Sequence, residues 1–377
     1  MVERCRHGLT ALACALPLVL VVGCRAGKIS GDAEDAGDSH SEFEPFHPYE
    51  MDERADGGSL ADAPDGENDS GDLADTDGGA YQEKDTGPLD ESDQEMDGED
   101  QHRLPAGLAQ GRWDLVWQDE FDGPAGQRPA PHWFFFDGWD NGGKWRDAFY
   151  TDGEHAMLDG LGHLVLEAVL VGGELHTAYL TTYDWSVPQE QWTTFGPRDG
   201  LYLEAAVRLD GLEAGGLWTA FWLFDPSDTY DGDPSTGTEI DIMEYLIAYG
   251  AEGSWTAQLP GGNTLDLLNV AHHWTLQDSE SRMFFASDYG VDLRDGGFHR
   301  FGVEWHRGLL VWYVDGQEVF RTTNHVSTSD GEALVLSIEY DEGPGDAWGL
   351  NENVHEYSDR LPDVVVVDYV RVYARTP

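Results

Sequence analysis

Three carboxylates, Glu239, Asp241 and Glu244, stand among isoleucines and a methionine in the stretch TEIDIMEYL (238–246). Ionised acids are costly in apolar surroundings, so this run is the first place to look for chemistry. If it is a strand, side chains alternate between faces: Glu239 and Asp241 point one way, Ile240 and Ile242 the other, and Glu244 falls out of phase. One extra residue in a β-bulge, at Met243 or beside it, would put all three acids on one side and leave the isoleucines for a core. Two carboxyls about 5–5.5 Å apart are what a retaining glycosidase uses, one as nucleophile and one as acid then base. A third between them raises the proton affinity of its neighbours and can share a hydrogen bond with the nucleophile. A trio of this kind can also hold a metal ion or simply face water, and the spacing alone does not choose.

The elements that must position these acids read as β throughout. Apolar and alternating runs predict strands at 163–170, 201–209, 216–224, 238–247, 270–276, 298–306, 309–316, 317–323, 333–340 and 364–373. Asp315-Gly316 is a tight-hairpin signal, and His306-Arg307-Gly308 marks another turn. Many short strands with Gly and Asp turns, and few helical periods with caps, predict an all-β sandwich or jelly roll.

Charge divides the chain. Residues 31–100 hold 26 Asp and Glu against two bases, Arg54 and Lys84, with few apolar side chains. Such a segment cannot bury enough surface to offset its chain entropy and is expected to be disordered. The sequence therefore predicts a signal segment at 1–23, an acidic linker at 24–107 and one folded domain at 108–377. Of the formal net charge of −52, about −31 belongs to the domain. That surface excludes nucleic acid and anionic lipid as partners and disfavours sulfated or uronic polymers. A monomer is expected.

At the N-terminus, two arginines precede LTALACALPLVLVVG, a 15-residue apolar run too short to span a bilayer as a helix and suited to an export signal. The three cysteines, Cys5, Cys14 and Cys24, all lie in or at the end of this segment, so no disulfide is available to the domain. Cys24 after Gly23 resembles a bacterial lipobox, with Val21 and Val22 departing from the usual pattern. Lipidation there implies an anchored protein at the cell surface, in the outer membrane from Arg25 in the second mature position, and otherwise a secreted one.

EIDIMEY resembles the active-site strand of glycoside hydrolase family 16 in its bulged E-x-D-x-x-E form. WDLVWQDEFDG (113–123), GLWTAFWLF (216–224), FHRFGVEWHRGLLVWYVDGQEV (298–319) and VVVDYVRVY (365–373) resemble its flanking strands, in the family's order. The resemblance implies a concanavalin A-like jelly roll of two curved antiparallel sheets with a concave substrate cleft. It also implies retaining action on β-glycans, with Glu239 as nucleophile, Glu244 as acid/base and Asp241 as the helper between them. Trp218 and Trp222 match positions that line the cleft. His272 and His273 stand where relatives often have a substrate-contacting histidine; alternation allows only one of them to face it. Asp368 matches a position that in several relatives ligates a structural Ca²⁺ with backbone carbonyls near Glu120; no other cofactor is implied. The chain departs from the family at EAA (204–206), where relatives often have E-A-R, and at LVLSIEYDEGPGDAW (334–348), where an Asn and paired glycines are usual.

The bulged form occurs in laminarinases, agarases, porphyranases and carrageenases. With few bases to meet sulfate, neutral β-1,3- or β-1,3-1,4-glucan is the leading polysaccharide substrate. Agarose, glucan transglycosylation, and a surface β-glucan-binding lectin without catalysis are the alternatives; a lectin would be expected to have lost a catalytic acid. For the N-terminus, Cys24→Ser is expected to move the protein from membranes to a soluble fraction or to block its processing, read by cell fractionation. Equal membrane recovery would refute lipidation.

Overall fold

The computed structural model describes residues 104–376 apart from 130, 139–143, 152, 228–230, 276–277 and 343–345. The expected signal segment, Cys24 and nearly all of the acidic linker lie outside the described residues. The long strands, in chain order, are β1 (Arg112–Asp119), β2 (Leu164–Val171), β3 (Tyr179–Thr181), β4 (Leu201–Arg208), β5 (Leu217–Phe224) and β6 (Glu239–Leu246). They continue with β7 (Leu267–His273), β8 (Ser279–Phe285), β9 (His299–His306), β10 (Leu309–Val314), β11 (Gln317–Thr322), β12 (Glu332–Tyr340) and β13 (Asp363–Thr376). Short strand pieces and 3₁₀ turns complete the described residues, which contain no α-helix.

Two sheets form. One runs β11-β10-β9-β4-β13-β2 and continues into short strands, with β1 also paired to β13. The other runs β8-β7-β6-β5-β12-β3, so the acid-bearing strand lies inside it, between β7 and β5. The long pairings are antiparallel, as the hairpin signals at 306–308 and 315–316 require. Asp315, at φ 47°, and Gly316, at φ 78°, make the second of those turns in the left-handed region. The result is the jelly-roll sandwich that the strand count implied. All ten strands expected from patterning are present; β1, β3, β8 and the short pieces are additional.

Alternation decides what goes where. Leu203, Ala205 and Val207 of β4, Phe221 and Leu223 of β5, Ile240 and Ile242 of β6, and Leu334, Leu336 and Ile338 of β12 enter one core between the sheets. Trp305 and Trp312, fully buried, fill its width. The odd-phase residues face outward on each sheet. On the outside of the larger sheet, Tyr202, Val311, Tyr313 and Tyr373 make a second apolar cluster, covered by Leu104, Leu108 and Trp113. Ala109 N–H donates to Glu304 Oε1 there at 2.9 Å. Leu104 and Leu108 therefore pack on the domain.

This cluster generates a prediction. A chain beginning at Leu104 is expected to keep full thermal stability, whereas one beginning at Gly111 loses the two leucines and the bond to Glu304. That loss is worth about 2–3 kcal/mol and should lower Tm by roughly 4–10 °C. Equal melting of the two would show that the 104–110 segment contributes nothing.

Candidate active site

The register on either side of β6 locates the bulge. Against β5, Met243 pairs with Phe221 and Asp241 with Trp222, so Ile242 has no opposite number. Against β7, the pairing jumps from Asp241–Ala271 to Glu244–Asn269. The extra residue lies at Ile242–Met243, and both side chains enter the core. Glu244 thereby rejoins the face of Glu239 and Asp241. Trp312, from the opposite sheet, donates its indole N–H to the Asp241 carbonyl at 2.9 Å, securing the irregular backbone from below.

Above the bulge, all three acids are largely withdrawn from solvent. His273, opposite Glu239 in the register, brings Nε2 to 3.2 Å from Asp241 Oδ2. Asn269 donates to Glu244 Oε2 at 2.8 Å. Ala220 stands opposite Glu244 on the other side, and its methyl is too small to cover the acid.

The electrostatics follow from this crowding. Burial and the charge of Asp241 push Glu244 well above the usual carboxylate range, against the opposing pull of the Asn269 hydrogen bond and of His273. For His273, burial favours the neutral ring, but the contact with Asp241 and the charges of Glu239, Asp241 and Glu244 outweigh it and push the imidazole up to about 9. The crowding therefore favours the protonated form of both Glu244 and His273. Ligand atoms of Glu239, Asp241 and His273 lie within 4.8 Å of one another, a spacing that would suit an ion. An imidazole held protonated by Asp241 would offer no lone pair to that ion.

The two adjacent histidines part company. His272 pairs with Ile240 and is buried completely, on the core side of β7, where burial pushes it down to about 3. This corrects its inclusion among substrate-contacting residues: alternation gives the cleft to His273 alone.

Trp222 and Trp218 both lie on the face of the acids, opposite Asp241 and Leu246. Trp222 donates its indole N–H to Ser337 Oγ at 3.3 Å, and Ser337 donates to Glu339 Oε1 at 2.9 Å. Trp218 carries the Arg146 guanidinium 5.2 Å above its ring, with Leu246 and Leu350 in the same apolar group. Arg146 also lies 4.9 Å over Trp145 and reaches Asp341 at 3.4 Å and Glu339 at 3.9 Å. Burial raises the Glu339 pKa, while Arg146 and Ser337 oppose the rise. The departure at 334–348 thus places an ion cluster on the cleft floor.

Glu120 binds Arg371 through both oxygens at 2.8 Å, and Asp368 lies 4.0 Å from His163 Nε2. Donors that suit a hard cation remain in the Asp368 carboxylate and in backbone carbonyls such as that of Glu120, which lies beside Gly162.

Sequence reasoning missed Asn269 and Trp312. Asn269 was findable, since it shares parity with His273 on β7. Trp312 was not, because its partner is a main-chain carbonyl on the other sheet.

A bulged strand that brings three carboxyls, one with a strongly raised pKa, to the outer face of a β-sandwich suits a glycosyl hydrolase. Residues 193–340 match the model of glycosyl hydrolases family 16. The chain is 28% identical over 280 residues to a β-glucanase of Rhodothermus marinus, covering 69% of this chain and 85% of that one. It is 27% identical over 221 residues to a glucan endo-1,3-β-glucosidase of Cryptopygus antarcticus, covering 56% and 69%. Among solved structures, the endo-β-1,3-glucanase of Pyrococcus furiosus superposes with a TM-score of 0.51 at 25% identity, over 71% of this chain and 96% of that one. Across residues 193–340 the chain is thus similar to glycosyl hydrolases family 16, and the relatives it matches over most of its folded part are β-glucanases.

Coupling of the acids is testable through pH. Asp241→Asn removes the charge that helps Glu244 keep its proton and the partner that holds the proton on His273. Both pKa values then fall, so the alkaline limb of kcat/KM is expected to move to lower pH. The accompanying fall in kcat should be smaller than for loss of Glu239 or Glu244. An unmoved limb would mean that the three acids titrate independently.

Proposed function

We propose that the protein is an endo-acting, retaining hydrolase of a neutral β-glucan with β-1,3 or mixed β-1,3-1,4 linkages. The observation that carries the reading is the bulge at Ile242–Met243, which delivers Glu239, Asp241 and Glu244 to one face beside Asn269 and His273. Glu244, holding its proton through burial and the Asp241 charge, gives it to the glycosidic oxygen as that bond breaks. Glu239 attacks the anomeric carbon and forms a glycosyl ester. Glu244, now a carboxylate, takes a proton from water, and the oxygen of that water displaces Glu239. Asp241, paired with the His273 imidazolium, supplies negative charge where Glu244 needs it without a third uncompensated carboxylate.

The named relatives act on glucans, and the strongly acidic domain suits an uncharged polymer. The lipobox-like Cys24 supports an exported, surface-anchored enzyme. A structural Ca²⁺ held by Asp368 and backbone carbonyls near Glu120 would tie the last strand to the loop after the first.

Laminarin, lichenan, agarose and carrageenan, assayed for new reducing ends, test the substrate. Laminarin or lichenan is expected to be cut and carrageenan left intact; action on agarose alone would overturn the glucan reading. Glu239→Gln is expected to lower kcat by several orders of magnitude with unchanged circular dichroism, and near-normal turnover would remove Glu239 from the mechanism.

A further inference from the structure

The aromatic side chains of the cleft face do not stop at Trp222. Phe224 follows it two residues along β5, with ring centroids 6.1 Å apart. Tyr183, on the loop after β3, lies 6.3 Å from Phe224, and Trp185 lies 5.1 Å from Tyr183. Trp222, Phe224 and Tyr183 are buried, whereas Trp185 is 47% exposed. It is the only exposed aromatic among the described residues; the other large exposed apolar side chains are aliphatic and lie elsewhere.

Single exposed apolar residues are ordinary, so exposure alone says little. Two further observations set Trp185 apart. One is continuity: the row of rings begins at the residue paired with Asp241 and ends in solvent at Trp185. That row runs as far as the half-exposed Trp185 among the described residues. The other is the stiffness of the loop. Its base is closed by Thr193 N–H to the Thr182 carbonyl at 2.9 Å and by Thr182 Oγ1 to the Thr193 carbonyl at 2.7 Å. Its turn is held by Ser186 N–H to Asp184 Oδ1 at 2.6 Å, and Trp192 Nε1 donates to the Asp184 carbonyl at 2.7 Å. A large ring fixed on a braced turn loses little further conformational entropy when a ligand settles on it.

We propose that Trp185 is a platform for a distal sugar of the same β-glucan chain whose scissile bond lies over Glu239 and Glu244. The C–H face of a pyranose matches an indole surface, and a chain leaving the carboxylates along the aromatic row reaches Trp185 a few sugars from the cut. The ring binds length, not chemistry: it favours long chains over short ones and leaves the bond-breaking groups untouched. This inference rests on the β-glucan reading above.

The test measures kcat and KM for wild type, Trp185→Ala and Trp185→Tyr, in the full chain, on laminarin and on short β-1,3-gluco-oligosaccharides that cannot span to the loop. Trp185→Ala is expected to raise KM for laminarin about three- to ten-fold, the size of one aromatic contact. It should leave kcat, and KM for the short substrates, unchanged. Trp185→Tyr should restore most of the laminarin KM. If wild type cuts laminarin and Trp185→Ala leaves KM alone, or raises it equally for long and short substrates, the platform is refuted. If wild type does not cut laminarin at all, the glucan reading fails and the platform fails with it.

Discussion

The site depends on one irregularity in one strand. A regular β6 would send Glu244 into the core, opposite its partner acids, where its carboxyl would meet Leu and Phe side chains. The two-for-one step at Ile242–Met243 reverses that, and it needs support because a bulge interrupts the ladder of main-chain hydrogen bonds. The support comes from the core side of the strand. Ile242 and Met243 both anchor in the core, and the Trp312 indole, reaching across from the other sheet, takes the Asp241 carbonyl. The sandwich is thus more than a platform: its far sheet fixes the backbone from which the three acids project.

The electrostatics depend on the same step. Three carboxyls this close in a poorly solvated place cannot all ionise readily, and the arrangement distributes the strain. Glu244 keeps a proton, and His273 places a positive charge on Asp241. Farther along the floor, Glu339 and Asp341 share Arg146. The cleft floor is therefore rich in acids yet locally compensated, which differs from the uncompensated charge carried elsewhere on the domain.

Much of this was legible in the sequence, because alternation with a period of two is a strong signal in buried strands. The ten main strands, the need for a bulge after Asp241, and the same-face placement of Trp218 and Trp222 all followed from it. The choice between His272 and His273 did not, since it depends on the register between β6 and β7, whose paired residues are 23 or more positions apart. The brace from Trp312 and the Arg146 cluster were illegible for a related reason: each joins segments far apart in sequence. β8 went unread because SESRMFF shows its apolar residues only at one end.

The cover of Leu104 and Leu108 over Tyr202, Tyr313 and Tyr373 has a geometric consequence. That cluster lies on the outer side of the larger sheet, while the carboxylates open from the outer side of the smaller one, with the whole core between them. Whatever precedes residue 104 joins the domain at its back. A bead coupled directly at Leu104 would meet the domain on the side away from the carboxylates, so insoluble glucan could reach the cleft without passing the point of attachment.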